Sequence, residues 1–414
     1  MLGTGGAGIP TIGSVFPENG ATDVSVLTTL RVKFSVELDH TSVPEAVSLR
    51  VGSREIRTKM ILHDLKVLHL EPTDPLDFGT TYRVIVETSL RSRSGKPLSE
   101  QQSWDFTTEG TPPPSPAQDS LEANLEALAH DSMMGRGSGT GEEYLAATYL
   151  RDRFNAYGLN PPPGGHLQSF QALSRKTDSL LSSQNVLGVV PGSGDLADEW
   201  LVVGAHYDHI GLREQADGTM GINNGADDNG SGTVLMLEMA RVFKAYVAAG
   251  GMPTPHRRSV LFAAFGAEEE GLLGSCHYAF QSPSVPISTT RAMLNFDMVG
   301  RLRDRVLLLR GFESSNEWAN MVVNANSPGL ILFDPLPCEY CSDFACFRDQ
   351  GVPYLFFSTG GHQQYHSPAD DVERINFTGL REVGEVGLRV VIRLAVMPEA
   401  PTPLWGGDQI GRPG

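Results

Sequence analysis

From about residue 185 onward, apolar runs with strand character alternate with segments of helical periodicity, and this alternation constrains the fold more than any other feature. The strand candidates cover residues 185–190, 200–205, 259–265, 292–296, 306–309 and 354–357, and the helix candidates cover residues 233–246, 272–280, 316–324 and 377–396. The run Leu201-Val202-Val203 is apolar at consecutive positions, which is typical of a sheet covered on both faces. We therefore predict an α/β domain in which helices flank a central mixed, mostly parallel sheet.

Polar side chains able to do chemistry follow several of these strand candidates. His206 and Asp208 come after the second candidate, Glu268 and Glu269 after the third, and Asp297 directly after the fourth. In open α/β sheets, binding groups gather just beyond the carboxyl ends of the strands. We therefore expect these side chains to converge at one edge of the sheet.

A glycine-rich turn over residues 223–232 reads Asn-Asn-Gly-Ala-Asp-Asp-Asn-Gly-Ser-Gly and precedes an amphipathic helical run. Such a sequence by itself usually indicates only a turn. The histidines and carboxylates that follow the strands favour a functional interpretation. At the tip of this turn, Asp227 has the exposure needed to bridge two cations.

The candidate residues are histidines and carboxylates without a thiolate, a set that suits Zn²⁺ or a similar divalent ion. The surplus of carboxylates suits two ions that share one ligand. Within Glu268-Glu269-Glu270, one glutamate would be a ligand and its neighbour a base, and Asp208 could accept the second ring N–H of His206. Near the C-terminal end, spacing alone does not choose between His362 and His366 as a ligand.

The first hundred residues predict a separate, all-β unit. Leu30, Val32 and Phe34 alternate with polar residues, as in strands with one buried face, and turn clusters separate several such runs. The phrases at 76–82 and 104–108 resemble those of bacterial immunoglobulin-like domains, which implies a small β-sandwich. We predict an Ig-like domain over 1–110, a Pro-rich linker over 111–118, a catalytic domain over 119–398 whose first helix Asp119 caps, and a flexible tail over 399–414.

The motifs after residue 120 together resemble the di-zinc aminopeptidase family, which includes bacterial leucyl-type aminopeptidases and glutamate carboxypeptidases. The resemblance rests on five separated phrases, those around His206, Asp227, Glu268, Asp297 and His366. It implies the zinc-peptidase fold and assigns roles to individual residues. By this resemblance, His206 and Asp297 hold one zinc, Glu269 and His366 hold the other, and Asp227 bridges the two ions. The resemblance also implies that the Asp227–Asp228 peptide is cis. It makes Glu268 the general acid/base and Asp208 the residue that orients His206.

The resemblance implies a metal-dependent exopeptidase that removes residues from peptides with a free N-terminus. Two zinc ions, or other divalent metals, would activate a water molecule whose proton Glu268 accepts. The alternatives are a glutaminyl cyclase-like acyltransferase with one zinc, a carboxypeptidase of the same fold, and a non-catalytic binding protein. The intact set of ligands together with Glu268 argues against an inert domain.

The segment around residue 340 departs from the family pattern. The family often has Ser-Asp-His after its second cysteine, whereas Phe344 follows Ser342-Asp343 here. Cys338 and Cys341 are close enough to form a disulfide or to remain a reduced pair. From the resemblance, we expect Tyr340 to assist in stabilising the oxyanion.

Charge and the N-terminus limit the partners and the location. With 32 Lys and Arg against 49 Asp and Glu, the net charge of −17 argues against a nucleic-acid or anionic-membrane partner. No apolar run is long enough for a membrane span, so a soluble protein is expected.

The opening Met1-Leu2-Gly3-Thr4-Gly5-Gly6 lacks the basic and apolar regions of a signal peptide. We expect a secreted, periplasmic or cell-surface bacterial protein whose signal segment is absent from this sequence, while a cytoplasmic location stays open. The Ig-like domain would serve as a spacer or contact another surface or protein, and a role in stability alone is the alternative.

Overall fold

The computed structural model describes residues 8–24, 26, 28–73, 76–110, 114–215, 218–252, 254–326, 328–335 and 338–404. The chain divides into two compact units, Met1–Pro112 and Pro113–Gly414. Residues 111–113 of the predicted linker and residues 405–414 of the predicted tail lie outside the described residues.

The first unit consists of two sheets whose strands follow one another in short succession. Its strands are β1 (Ile12–Phe16), β2 (Ala21–Val24), β3 (Leu30–Phe34), β4 (Val47–Val51), β5 (Arg54–Ile56), β6 (Thr58–His63), β7 (Val67–Pro72), β8 (Thr81–Val86) and β9 (Gln102–Thr108), with the short helix α1 (Val43–Ala46) before β4. One sheet has the order β1-β3-β7-β6 and the other β2-β9-β8-β4-β5. Leu30, Val32 and Phe34 are buried in the shared core with Tyr82 and Trp104, so the predicted sandwich is confirmed.

The second unit is built on an eight-stranded sheet of order β10-β11-β15-β12-β16-β19-β17-β18, beside a two-stranded ribbon of β13 and β14. Its strands are β10 (Leu167–Leu173), β11 (Leu180–Val190), β12 (Trp200–His206), β13 (Leu212–Glu214), β14 (Met220–Ile222), β15 (Ser259–Phe265), β16 (Thr290–Phe296), β17 (Val306–Arg310), β18 (Ile331–Phe333) and β19 (Tyr354–Ser358). Its helices are α2 (Gln118–Leu128), α3 (Gly141–Ala156), α4 (Gly232–Ala248), α5 (Leu273–Cys276), α6 (Trp318–Ala325), α7 (Phe344–Arg348) and α8 (Phe377–Val396).

Both faces of the large sheet are covered, as the apolar strands predict. On β12, Leu201 and Val203 belong to one hydrophobic cluster, together with residues of α4 and α8. Val202 points the other way, into a second cluster with residues of α7. The pairs β12–β15, β12–β16 and β16–β19 are parallel, whereas β11–β15 and β17–β19 are antiparallel. The predicted mixed, helix-flanked sheet is confirmed.

Two local expectations differ from the structure. The helix expected over 272–280 is α5, only four residues long, followed by the π-helical turn His277–Gln281. Asp119 does not cap α2; Ala117 occupies the cap position, and no side chain accepts a capping hydrogen bond there. The main-chain N–H of Ala117 instead donates to the buried carboxylate of Glu238 at 2.7 Å, a tertiary contact that the local sequence does not reveal.

Cysteine pairing follows the tertiary structure rather than sequence proximity. Cys276 of α5 and Cys346 of α7 form a disulfide across 70 residues, whereas Cys338 and Cys341 are free. Of the two states considered for the close pair, the structure thus gives the reduced one. None of the described helices is both long enough and apolar enough to cross a membrane.

Candidate metal centre

The polar residues that follow parallel strands meet at the carboxyl edge of the large sheet. His206 ends β12, and Glu268 and Glu269 lie in the loop after β15. Asp297 directly follows β16. The sequence places these residues at the ends of neighbouring strands, and the sheet order brings them together.

One group of possible metal ligands contains His206, Glu268 and Asp297. Their ligand atoms all lie within 4.8 Å of one another. The Nε2 atom of His206 is 3.5 Å from Oδ1 of Asp297 and 3.9 Å from Oε2 of Glu268.

A second group contains His209, Asp228, Glu269 and His366. Nε2 of His366 lies 3.0 Å from both Oδ2 of Asp228 and Oε1 of Glu269. Nδ1 of His209 lies 3.0 Å from the same glutamate oxygen. His209 was not among the predicted site residues; its only signal in the sequence is its position three residues after His206.

Asp228, not Asp227, lies between the two groups. Its Oδ1 is 3.5 Å from His206 Nε2, and its Oδ2 is 3.0 Å from His366 Nε2. Asp227 is turned away: its Oδ1 accepts the main-chain N–H of Gly300 at 2.7 Å, and its Oδ2 is 3.2 Å from Nε2 of His362. The expectation that Asp227 bridges the two ligand groups is therefore wrong by one residue.

The backbone of the turn explains this difference. Asp228 has an extended backbone (φ −104°, ψ 99°), so its side chain projects to the side opposite its neighbour's. Oδ2 of Asp370 accepts the main-chain N–H groups of both Asp227 and Asp228 at 3.0 Å and so holds the turn. The cis peptide is Asp228–Asn229, one residue later than the expected Asp227–Asp228 bond.

The two candidate histidines of the last loop occupy different environments. His366 belongs to the second ligand group, whereas His362 faces Asp227 and lies 3.9 Å from Asp370. The structure therefore places His366, and not His362, beside Asp228.

The donor atoms fit divalent cations. Within the two ligand groups, Asp228 Oδ2, Asp297 Oδ1 and His366 Nε2 are buried without a hydrogen bond. Buried carboxylate oxygens without partners are costly unless a cation compensates them. Imidazole and carboxylate donors are those that Zn²⁺ prefers when no thiolate is present.

The two adjacent glutamates have opposite electrostatic environments. Burial raises the pKa of Glu268 well above its usual value, against the opposing charge of His206. Burial also acts to raise the pKa of Glu269, but the adjacent imidazoles of His209 and His366 outweigh it and hold that pKa below its usual value. One carboxyl group is thus suited to carry a proton and its neighbour to remain ionised.

Asp208 holds the loop that carries these glutamates. Its Oδ1 accepts the main-chain N–H of Glu268 at 3.0 Å, and its Oδ2 accepts that of Glu269 at 3.2 Å and the Ser138 hydroxyl at 2.6 Å. Nδ1 of His206 is 3.2 Å from the main-chain oxygen of Asp208 and 3.7 Å from its carboxylate. Both the main-chain carbonyl of Asp208 and, farther away, its carboxylate thus lie beside Nδ1 of His206, and the orienting role of Asp208 stays a prediction.

A cavity of about 240 Å³ opens onto the ligand groups. Five residues of the ligand groups line it: His206, Asp228, Glu268, Glu269 and Asp297. The rest of its lining consists of Met298, Leu308, Arg310, Cys341, Phe356, Ser358, Gly360, Gly361 and Tyr365. Tyr365 stacks on His366 with ring centroids 3.8 Å apart.

Tyr340 does not line this cavity. Its side chain is 57% exposed, and its hydroxyl donates to Oδ2 of Asp349 at 3.0 Å. The expected oxyanion role of Tyr340 is not supported, because its hydroxyl is directed at Asp349. Tyr365 lines the cavity instead. No role was predicted for it, although it directly precedes His366.

The sequence was compared with models of known protein families, and the match agrees with a zinc site at the edge of the large sheet. Residues 185–391 match Peptidase family M28, which is half of the chain. The chain belongs to peptidase family M28. Residues 7–108 match a bacterial Ig-like domain, in agreement with the sandwich of the first unit.

Curated relatives of this M28 member include an aminopeptidase of Bacillus subtilis, 31% identical over 253 residues, which are 56% of this chain and 50% of that protein. A probable leucine aminopeptidase of Arthroderma otae is 30% identical over 228 residues, 52% of this chain and 58% of that protein. The chain thus spans between half and three fifths of the length of these relatives.

Solved structures share the fold. A zinc aminopeptidase from Bacillus subtilis aligns with a TM-score of 0.52 at 19% identity, over 68% of this chain and 95% of that one. A leucine aminopeptidase precursor from Bacteroides thetaiotaomicron aligns with a TM-score of 0.56 at 19% identity, over 68% and 98%.

Proposed function

We propose that this M28 family member is a zinc-dependent aminopeptidase that hydrolyses the first peptide bond of peptides with a free N-terminus. The observation that carries the proposal is the position of Asp228 between two groups of His and carboxylate ligands, at a cavity that Glu268 also lines. The curated relatives named as aminopeptidases support the same activity.

Two zinc ions would share Asp228. His206 and Asp297 would complete one site, and Glu269 and His366 the other, with His209 beside the second. When bound, such ions would acidify a water molecule and polarise the scissile carbonyl group. A one-zinc centre, as in a glutaminyl cyclase-like acyltransferase, would leave one of the two groups without its ion.

Glu268 is the proposed general acid/base. It would take a proton from the attacking water and deliver it to the leaving amine, and it lines the cavity beside both ligand groups. Asp208 would fix the position of this carboxyl group through its bond to the main-chain N–H of Glu268. Burial raises the pKa of the Tyr365 phenol, so this side chain stays neutral and can donate its O–H to an oxyanion in the cavity.

We propose that the protein works in an oxidising compartment, secreted, periplasmic or on the cell surface. The Cys276–Cys346 disulfide and the bacterial Ig-like domain support this location. The Ig-like domain would act as a spacer or contact another surface or protein. The acidic net charge of −17 disfavours nucleic acid as a partner.

The proposal is tested with leucyl anilide and its N-acetylated form, each assayed on the zinc-loaded protein. We expect hydrolysis of the free amine only, and metal analysis should find two zinc ions per chain. Equal rates on both anilides would point to an endopeptidase, and release of C-terminal residues from a peptide would point to a carboxypeptidase.

The role of Glu268 is tested with two variants of adjacent glutamates. Glu268→Gln keeps size and hydrogen bonding but cannot accept a proton, so it should retain both metals and lose ~10²–10⁴-fold in kcat. Glu269→Ala removes a ligand and should lose one zinc. Loss of metal from Glu268→Gln with full metal in Glu269→Ala would exchange the two roles.

A further inference from the structure

Strand β17 presents one of its faces to the cavity. Leu307 and Leu309 are fully buried in the core, so the alternate residues Leu308 and Arg310 face the other way, and both line the cavity. In the antiparallel pairing with β19, Leu308 lies opposite Ser358, and Arg310 lies opposite Phe356. All four residues therefore line the same wall.

Among the residues that the structure describes, none forms an ion pair with the guanidinium group of Arg310. Its Cζ lies 6.0 Å from the ring centroid of Phe356, and its Nη1 lies 3.7 Å from Sγ of Cys341. Across the described parts of the chain, no carboxylate oxygen lies within 4.0 Å of it. Other arginines of the same unit are paired, as Arg258 is with Glu199 and Arg301 with Asp370.

None of the described groups around Arg310 forms an ion pair with it. Burial raises the pKa of the Cys341 thiol, so this contact is neutral. The carboxylate of Glu313, three residues further along the chain, accepts the hydroxyl of Tyr354 at 2.5 Å. The charge of Arg310 opposes the rise that burial produces in the pKa of Asp334, but the two groups do not form an ion pair.

We propose that Arg310 makes this cavity a selective pocket for an acidic side chain, so that the preferred substrates begin with glutamate or aspartate. This inference rests on the proposed aminopeptidase activity. The carboxylate of the substrate's first residue would take the place of the missing partner in a charge-assisted hydrogen bond to the guanidinium. The wall of Leu308 and Phe356 would contact the methylene groups of that side chain.

The size of the cavity suits a single residue. At about 240 Å³ it is smaller than the ~300 Å³ at which pockets for drug-sized ligands begin. In an aminopeptidase the substrate chain starts at the reaction centre, so the residue that enters the cavity is the first one and the rest of the peptide leads away. A charged wall group in such a cavity therefore acts on the first side chain.

The decisive comparison is between glutamyl and glutaminyl anilides, which have the same size and differ in charge. We expect kcat/KM for the glutamyl substrate to exceed that for the glutaminyl one by about 10–100-fold, the usual worth of a hydrogen bond to a charged group. Arg310→Met should remove this advantage, so that the glutamyl and glutaminyl substrates are cleaved with similar kcat/KM. Arg310→Lys, which keeps the charge, should retain part of the advantage.

Arg54→Met is the matched control. It removes the same charge from an exposed arginine of the first unit, so it reproduces the change in net charge without touching the cavity. We expect it to leave the ratio of the two substrates unchanged. A ratio near one in the parent protein, or an equal fall in both rates for Arg310→Met, would overturn the inference and leave Arg310 a packing role against Phe356.

A measurement without turnover separates this inference from the proposed function. Calorimetric binding of free L-glutamate and L-glutamine to the zinc-loaded protein reports the pocket directly. Glutamate should bind more tightly, and Arg310→Met should abolish the difference. Selective, Arg310-dependent glutamate binding in a protein that cleaves no anilide would support the pocket and refute the aminopeptidase activity. Equal binding of both amino acids would refute the pocket.

Discussion

At the scale of the residue, Asp227 and Asp228 are adjacent and chemically identical, yet they occupy different environments. Asp228 accepts contacts from His206 and His366, which outweigh the effect of burial and hold its pKa below the usual value. Asp227 is fully buried, and its pKa is raised, mainly by that burial. Only Asp228 is placed to be a shared ligand.

This difference predicts opposite results for two matched variants. Asp228→Asn should lose zinc and lose activity by more than the ~10–100-fold typical of an outer contact. Asp227→Asn keeps an oxygen for the N–H of Gly300, so it should retain both metals and lose less activity. Metal analysis and kcat of both proteins provide the test, and metal loss confined to Asp227→Asn would restore Asp227 as the bridge.

Glu143 in α3 is a buried carboxyl group whose contribution to the free energy of unfolding depends on pH. It accepts the main-chain N–H of Gly139 and the hydroxyl of Ser183, both at 2.6 Å. Burial, reinforced by the charge of Asp208, raises the pKa of Glu143 from 4.5 to about 8. In the folded protein this group therefore stays protonated at pH values where it is ionised in the unfolded chain.

The sign of the linkage follows from that difference. Between about pH 4.5 and pH 8 the folded state binds more protons at this site, so the free energy of unfolding falls as the pH rises. Glu143→Gln imitates the protonated side chain and removes this dependence. Relative to the parent, the free energy of unfolding of this variant should rise with pH over this range, by up to about 1.4 kcal/mol per pH unit. Its Tm should rise relative to that of the parent in the same direction. A Tm difference that is constant with pH would show that Glu143 does not titrate in this way.

At the scale of the element, burial on both faces decides how well a segment is predicted. The strand expected over 259–265 is β15 with the same limits, because all seven of its residues are buried. The helix expected over 377–396 also has the limits of α8. By contrast, β10 was not expected, because at the edge of the sheet only Phe170 among its residues is fully buried and the period is weak.

The short helices α5 and α7 depend on a cross-link more than on their own length. Neither has more than five residues, and the Cys276–Cys346 disulfide joins them on one face of the sheet. Isolated helices of this length are not stable. Their positions therefore rest on packing and on the disulfide.

Replacing both bonded cysteines by serine should lower the free energy of unfolding by about 2–5 kcal/mol, the usual cost of losing a native disulfide. Thermal or denaturant unfolding measures the loss. Cys338→Ser is the control, because Cys338 is free and should change stability little. Equal stability of the double variant and the control would show that packing alone holds α5 and α7.

At the scale of the whole molecule, the two units have separate hydrophobic cores. The core of the first unit contains residues from Val24 to Phe106, and the ligand groups lie entirely in the second unit. We therefore propose that the Ig-like domain is dispensable for turnover of small substrates.

A chain beginning at Pro113 should fold, bind two zinc ions and keep most of its activity on anilides. A chain beginning at Asp119, the predicted domain boundary, lacks the N–H of Ala117 that Glu238 accepts, and should be less stable. Tm, metal content and kcat/KM compare the two. Aggregation or metal loss in the longer chain would mean that the second unit needs the first.

The sequence by itself determined the architecture and most of the residues that gather at the candidate metal centre. Consecutive apolar residues can be buried only in a sheet covered on both faces, and parallel strands bring their carboxyl ends together. For this reason His206, Glu268, Glu269 and Asp297 could be named in advance as residues that meet. Tertiary structure decided which donors face inward. The choice of Asp228 over Asp227 depends on the backbone of the turn and on Asp370, which lies more than 140 residues away in the chain. Loops and strand pairings likewise determine that the side chains of His209, Tyr365 and Arg310 lie at the site. The direction of a side chain at a site depends on contacts that are distant in sequence.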